Sequence, residues 1–276
     1  MRREVRPIYA LCMILLFALV ACKPAPPDAP EELDQLVGFL FEHVDDDEAD
    51  YLQVGAVNTD AWLDKRLQET LEGYSVDDLS LEAINALGGA QQDAATVEAL
   101  AGAAVGHESA YDVETLMEAI INDDPLDVYP GVYLANRRDA ESREIRCFME
   151  QECDRIEFEV WAEFDYGVVQ VSTNSMVQYR WVDTDLGKVV VERTWLRSPA
   201  DVQSIFDLRV QQQYFMWAAI PAGDDAPAGV KTRSIQATWV VAEFGEDEVD
   251  DDIALNLVIN SMVKNSNLLE DWIAAN

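Results

Sequence analysis

The chain has 276 residues, of which 53 are Asp or Glu and 19 are Lys or Arg, for a formal net charge of −34. A surface that negative repels phosphate backbones and anionic headgroups, which argues against nucleic acid as a partner. The length allows one large or two modest domains with a substantial apolar core.

Arg2, Arg3 and Arg6 give a positive start, and Leu11 to Ala21 is an uncharged apolar run. The run suits a signal-peptide core and is too short for a transmembrane helix. It ends on Leu19-Val20-Ala21-Cys22, which resembles the lipobox of bacterial lipoproteins. That resemblance implies that residues 1–21 are removed and that Cys22 receives a thioether-linked diacylglycerol, usually with an N-acyl chain. Each buried methylene contributes about 0.8 kcal/mol, so two or three chains anchor firmly where one is marginal. The membrane is therefore the expected partner, reached through lipid at Cys22. Lys23 stands where an inner-membrane retention signal would place Asp, so the expected location is the outer membrane. Residues 22–30 include four prolines and read as a semi-rigid spacer.

Cys12 leaves with the signal peptide and Cys22 is lipidated, which leaves Cys147 and Cys153. An exported protein meets an oxidising compartment, so these two are expected to form a disulfide. The loop between them is short, and its closure is worth about 2 kcal/mol. Zinc is the alternative, but neither histidine is close in sequence.

Residues 31–127 read as an acidic helical region; across 23–127 there are 26 acids against Lys23, Lys65 and Arg66. Leu33, Leu36, Val37, Leu40, Phe41 and Val44 recur at helical spacing. A second helix is expected from about Asp60, with Leu63, Leu67 and Leu71 on one stripe and Gly73 as its left-handed stop. Ser80 to Leu87 predicts a short helix, Asp93 to Val105 an alanine-rich one, and Val113 to Ile121 a fifth, stopped before Pro125. These stripes read as core.

Residues 128–276 read as an antiparallel sheet followed by a long helix. From about 155 the period changes to two: Ile156, Phe158, Val160, Ala162 and Phe164 alternate with Glu157, Glu159, Trp161, Glu163 and Asp165. Val177 to Asp183 and Lys188 to Arg197 follow, joined by a hairpin turn at 184–187. Gln211 to Ile220 and Thr232 to Phe244 add two more strands. Each of the five runs carries one tryptophan: Trp161, Trp181, Trp195, Trp217 and Trp239. Arg180, Arg193, Arg197 and Arg209 also fall here, and ordinary ion pairing with acidic neighbours is the expectation for them. The closing helix starts among Glu246-Asp247-Glu248 and Asp250-Asp251-Asp252, where negative charge suits the macrodipole. Leu255, Val258, Ile259, Met262, Leu269, Trp272 and Ile273 form its apolar face. The expected fold class is α+β: an N-terminal helical region, then an antiparallel sheet with a long C-terminal helix packed on it.

Recognisable chemistry is sparse. His43 follows an apolar helix, His107 reads as a loop residue, and neither completes a zinc set. Both are expected to be surface or capping residues. Asp45-Asp46-Asp47-Glu48 lacks the glycine and terminal glutamate of an EF-hand loop. Ser261-Met-Val-Lys264 fits the Ser-x-x-Lys pattern of penicillin-recognising enzymes, but the serine lies mid-helix and the companion motifs are out of order. Glu157, Glu159 and Glu163 share one strand face and read as its solvated side. No catalytic, cofactor-binding or metal residue is assigned, and no cofactor is expected.

Consecutive antiparallel strands followed by a long amphipathic helix, over about 155–276, resemble the helix-grip layout of START-like lipid-transfer domains. The resemblance implies a cavity between sheet and helix for an apolar small molecule or lipid, with Trp181, Trp195, Trp217, Trp239, Val258, Met262 and Leu269 as its expected wall. Three functions remain open from the residues: a ligand-binding envelope lipoprotein, a non-catalytic interaction or structural lipoprotein, and an enzyme without visible motif. The chain leans away from the last, and no protein partner is legible.

Overall fold

The run Tyr214-Phe215-Met216-Trp217-Ala218-Ala219-Ile220 is apolar at every position, which suits a strand covered on both faces. The computed structural model, which describes residues 28–88, 92–165, 167, 169–204, 208–244 and 252–276, shows such a sheet between two helical layers. The apolar run at 11–21, Cys22 and the acidic residues 246–251 lie outside the described residues.

In chain order the elements are α1 (Leu33–Glu42), α2 (Asp50–Arg66) with a 3-10 turn at Leu67–Thr70, β1 (Tyr74–Ser75), α3 (Leu81–Ala86), α4 (Ala94–Glu98) and β2 (Ala101–Ser109). Next come α5 (Val113–Asn122), α6 (Pro125–Val128), β3 (Tyr133–Asp139), α7 (Ser142–Met149), β4 (Arg155–Asp165), β5 (Val169–Thr184) and β6 (Gly187–Leu196). The chain closes with β7 (Asp201–Ser204), β8 (Leu208–Pro221), β9 (Thr232–Phe244) and α8 (Asp252–Ala275). The sheet order is β1-β2-β9-β8-β6-β5-β4-β3, every pairing is antiparallel, and β7 pairs with β5. The architecture is thus α+β, a nine-stranded antiparallel sheet with N-terminal helices and a long C-terminal helix.

Side-chain parity divides the sheet. On β8, Tyr214, Met216, Ala218 and Ile220 join the core beneath α1 and α2, while Trp217 and Ala219 face α5, α7 and α8. On β6, Val189, Val191 and Trp195 take the first face and Val190 the second. The helical region and the sheet therefore share one core.

The stretch Asp93 to Val105, expected as a helix, is helical only at Ala94–Glu98; Ala101–Ser109 is strand β2, paired with β9 along its whole length. Helix propensity is a weak prior, and here a ladder and close packing override it. A Cβ at Gly102 would fall 2.7 Å from the Trp239 ring, and one at Gly106 2.7 Å from Leu67, so the face of this strand beneath the N-terminal helices needs glycine at both positions. The second helix also starts earlier than expected, at Asp50.

Arginines bolt the N-terminal layer to the sheet. Arg180, 2 % exposed, donates to the carbonyl oxygens of Val44 (3.0 Å) and Asp46 (2.7 Å), and Arg155 donates to those of Asp45 and Asp46. Arg193 pairs with the Asp45 carboxylate and donates to the Phe41 carbonyl. Burial pushes the Arg193 guanidinium down to about 10. Arg197 meets Glu159 at 2.7 Å. On α2, Asp60 and Asp64 receive Arg233 at 2.9 and 2.6 Å, with Glu108 at 3.4 Å.

Candidate functional site

The face of the sheet opposite α1 and α2 does not close onto α8. A cavity of about 320 Å³ lies between them, at the lower end of the roughly 300–1,000 Å³ usual for small-molecule sites. From α8 it is lined by Leu257, Val258, Ser261, Met262, Asn265, Ser266, Leu269 and Glu270. Those positions fall on two adjacent rows four residues apart, the stripe one helix presents to a neighbour. From the sheet come Phe158, Val160, Val177, Phe215, Trp217 and Val240 among others, and α5 and α6 contribute Leu116, Ile120 and Pro125 at one end.

Of the expected wall, Trp217, Val258, Met262 and Leu269 line this cavity together. Trp181, Trp195 and Trp239 do not. Trp195 and Trp239 have the parity that points them beneath α1 and α2, where Trp239 is fully buried, packs on Phe41 and donates to the Asp77 carbonyl. Trp181 lies on the α8 side but under α7, stacked on Phe148 with its indole N–H on the Phe148 carbonyl.

The cavity also holds polar groups. Glu192 is enclosed by protein, and the surface it keeps belongs to the cavity wall. Thr194 Oγ1 donates to its Oε1 at 2.9 Å, and the Tyr179 hydroxyl donates to the same carboxyl. Desolvation dominates over these bonds and over nearby Arg138, pushing the Glu192 carboxyl up to about 7. Burial likewise pushes the Tyr179 and Tyr129 phenols well above their ordinary range. Arg138 is committed elsewhere: its guanidinium donates to the carbonyls of Ile120 (2.8 Å) and Ile121 (2.7 Å) at the end of α5.

Towards β2 and β9, Gln236 Nε2 donates to Ser266 Oγ at 2.7 Å, tying α8 to the sheet through the cavity wall. His107, expected at the surface or as a cap, lies on β2 and lines the cavity. Its Nε2 is buried without a hydrogen bond among the described residues, and Glu270 Oε1 is 3.7 Å away, within ion-pair range but too far to bond. Asn265 Oδ1 is likewise buried and unbonded among the described residues. Each such atom costs about 1–3 kcal/mol until something bonds it. His43, by contrast, bonds Asp46 at 2.7 Å and stacks on Tyr51, outside the cavity. Ser261 lines the cavity, but Lys264 donates to the Gly131 carbonyl, so that pair is not assembled for chemistry.

Cys147 and Cys153 have Cα atoms 5.3 Å apart with their sulfurs facing, a disulfide-capable pair at the end of α7. Among the described residues no three His, Cys, Asp or Glu side chains are grouped to hold a metal ion, and no helix is long and apolar enough to cross a membrane.

No family model matches the chain, and no curated protein matches it in sequence. Solved structures are similar at low identity. A START superfamily protein from Mycobacterium smegmatis is 10% identical, with a TM-score of 0.41, 63% of this chain covered and 97% of the other. The human StarD13 lipid transfer and protein localization domain is 8% identical, with a TM-score of 0.38 and coverages of 76% and 95%. An aromatase/cyclase from a Streptomyces species is 10% identical, with a TM-score of 0.35 and coverages of 63% and 91%.

Proposed function

We propose that this chain is an envelope lipoprotein, anchored at the outer membrane through acyl chains on Cys22, that binds an apolar small molecule or lipid between its sheet and C-terminal helix. The observation that carries the binding reading is the space of about 320 Å³ beneath α8, walled by Phe158, Phe215, Trp217, Val258, Met262 and Leu269. Protein interiors ordinarily pack to the density of organic crystals, so side chains this large would close the gap if nothing were to enter it. The opposite face of the same sheet does close, around Trp239 and Met216. Anchoring is supported by the apolar run, by Leu19-Val20-Ala21-Cys22 and by the proline spacer that would hold the body off the headgroups. An exported location also suits a Cys147–Cys153 disulfide.

The test is Met262→Trp, measured for affinity towards Nile red, an uncharged environment-sensitive dye, and for thermal stability. Met262 is buried against the cavity. A ring that fills the space should weaken dye binding at least tenfold and leave stability nearly intact. If the wild type binds no dye and the variant loses about 1–3 kcal/mol from overpacking, the region is a closed core. The reading as an interaction lipoprotein would then replace this one.

A further inference from the structure

Among the polar groups of the cavity, Glu192 and His107 stand at separated places, and their separation follows from the sheet register. Tyr179, Glu192, Trp217 and Gln236 are directly opposite one another in one row across β5, β6, β8 and β9. His107 belongs to another row, running through Ser234, Ala219 and Val190. Three strand spacings separate β6 from β2, about 14 Å, and the two rows are two residues apart along the strands. Between the two places the wall is mostly apolar, with Trp217, Phe215, Val258 and Met262, and the Gln236 amide there is already bonded to Ser266.

At the first place the Glu192 carboxyl, bonded by Thr194 and Tyr179, faces the cavity with Arg138, Tyr129 and Tyr133 around it. A ligand anion entering there would be repelled by the Glu192 carboxylate, and a ligand cation would have to give up its hydration, with the Arg138 guanidinium nearby, to pair with that carboxylate. In so desolvated a site bringing in either charge is costly. At the second place His107 Nε2 is buried without a hydrogen bond among the described residues, with Glu270 close to it, and on α8 Asn265 Oδ1 lines the same cavity, equally unbonded among them. A hydroxyl, which both donates and accepts, suits an amide oxygen as well as an imidazole nitrogen.

We propose, on the reading that this cavity is a ligand site, that its ligand is an elongated, uncharged, mostly hydrocarbon molecule with a hydrogen-bonding oxygen near each end. Glu192 and Tyr179 receive one oxygen, and His107 and Asn265 receive the other. A fatty acid or an alkylamine fits less well than a neutral molecule of the same length.

The test uses the full-length protein carrying Cys22→Ser, so that no acyl chain of its own competes, and titrates decane-1,10-diol, decan-1-ol, decanoic acid and decylamine against bound Nile red. The diol should compete best, about tenfold better than the alcohol, with acid and amine weaker than the alcohol at about pH 8. A double His107→Leu, Asn265→Leu variant should bring diol and alcohol to equal affinity, because the second oxygen then has neither partner. Glu192→Gln should keep the diol within about threefold, since an amide still bonds a hydroxyl; Glu192→Leu should lose about tenfold for the diol. Tightest binding of the acid or the amine overturns the proposal and leaves the ligand site standing. So does a His107→Leu, Asn265→Leu protein that still prefers the diol. Failure of all four compounds and of the dye removes the ligand site itself.

Discussion

Replacing Glu192 with Gln removes a titration while keeping the side chain's size and its place beside Thr194 and Tyr179. The carboxyl moves from an ordinary 4.5 to about 7 in the folded protein because it is desolvated within the cavity wall. Between those two pH values the folded state holds a proton that the unfolded state has released, so stability must fall as pH rises through the interval. The shift corresponds to about 3 kcal/mol, since each pKa unit is worth about 1.4 kcal/mol. Below about pH 4 the acid and the amide are both neutral, and the two proteins should be nearly equal in stability. At about pH 8 the variant should be more stable by up to about 3 kcal/mol, with the difference growing mainly between pH 5 and 7. Urea denaturation of both proteins at matched pH values measures this difference, and subtraction cancels the many other carboxylates of so acidic a chain. A difference that stays constant with pH, or one that favours the wild type at high pH, would refute the reasoning. The carboxyl would then be solvated, or paired with a cation.

Two other consequences concern the scaffold. Arg233→Met leaves Asp60, Asp64 and Glu108 facing one another without their shared cation and should cost about 3–5 kcal/mol in urea denaturation, with most of the loss recovered at low pH where the carboxylates protonate. A double Cys147→Ser, Cys153→Ser variant should lose about 2 kcal/mol relative to the oxidised protein and should match the reduced wild type; equality with the untreated wild type would mean that the thiols were never bonded.

Much of the architecture can be read from periodicity. Leu33 to Val44 and Val113 to Ile121 carry amphipathic stripes and form α1 and α5. The hairpin at 184–187 turns on Gly187, whose φ is +120°. The strand β2 was hidden because Ala101-Gly-Ala-Ala-Val-Gly has helix-forming alanines, while the need for small residues comes from Trp239 and Leu67, far away in sequence. Trp195 and Trp239 fall on the face opposite the cavity for a related reason. A sheet buried on both faces is apolar at both parities, so Trp195 and Trp217 look alike until register assigns them to opposite sides. Glu192 is hard to read because a single polar residue in a strand resembles a solvated position, and His107, expected in a loop, lies on the strand that the alanines hide. Only the neighbouring parity of Val190, Thr194 and Leu196 hinted that Glu192 faces inward.

The most direct measurement on the cavity is mass spectrometry of the full-length protein purified from the cells that make it, with native and denatured spectra taken on the same sample. Any covalent acyl chains appear in both spectra, so the difference reports only what is held without a bond. A cavity of about 320 Å³ predicts a native mass exceeding the denatured one by a single small, uncharged molecule. Equal masses, persisting after incubation with a total lipid extract, would contradict the claim that the space beneath α8 receives a ligand.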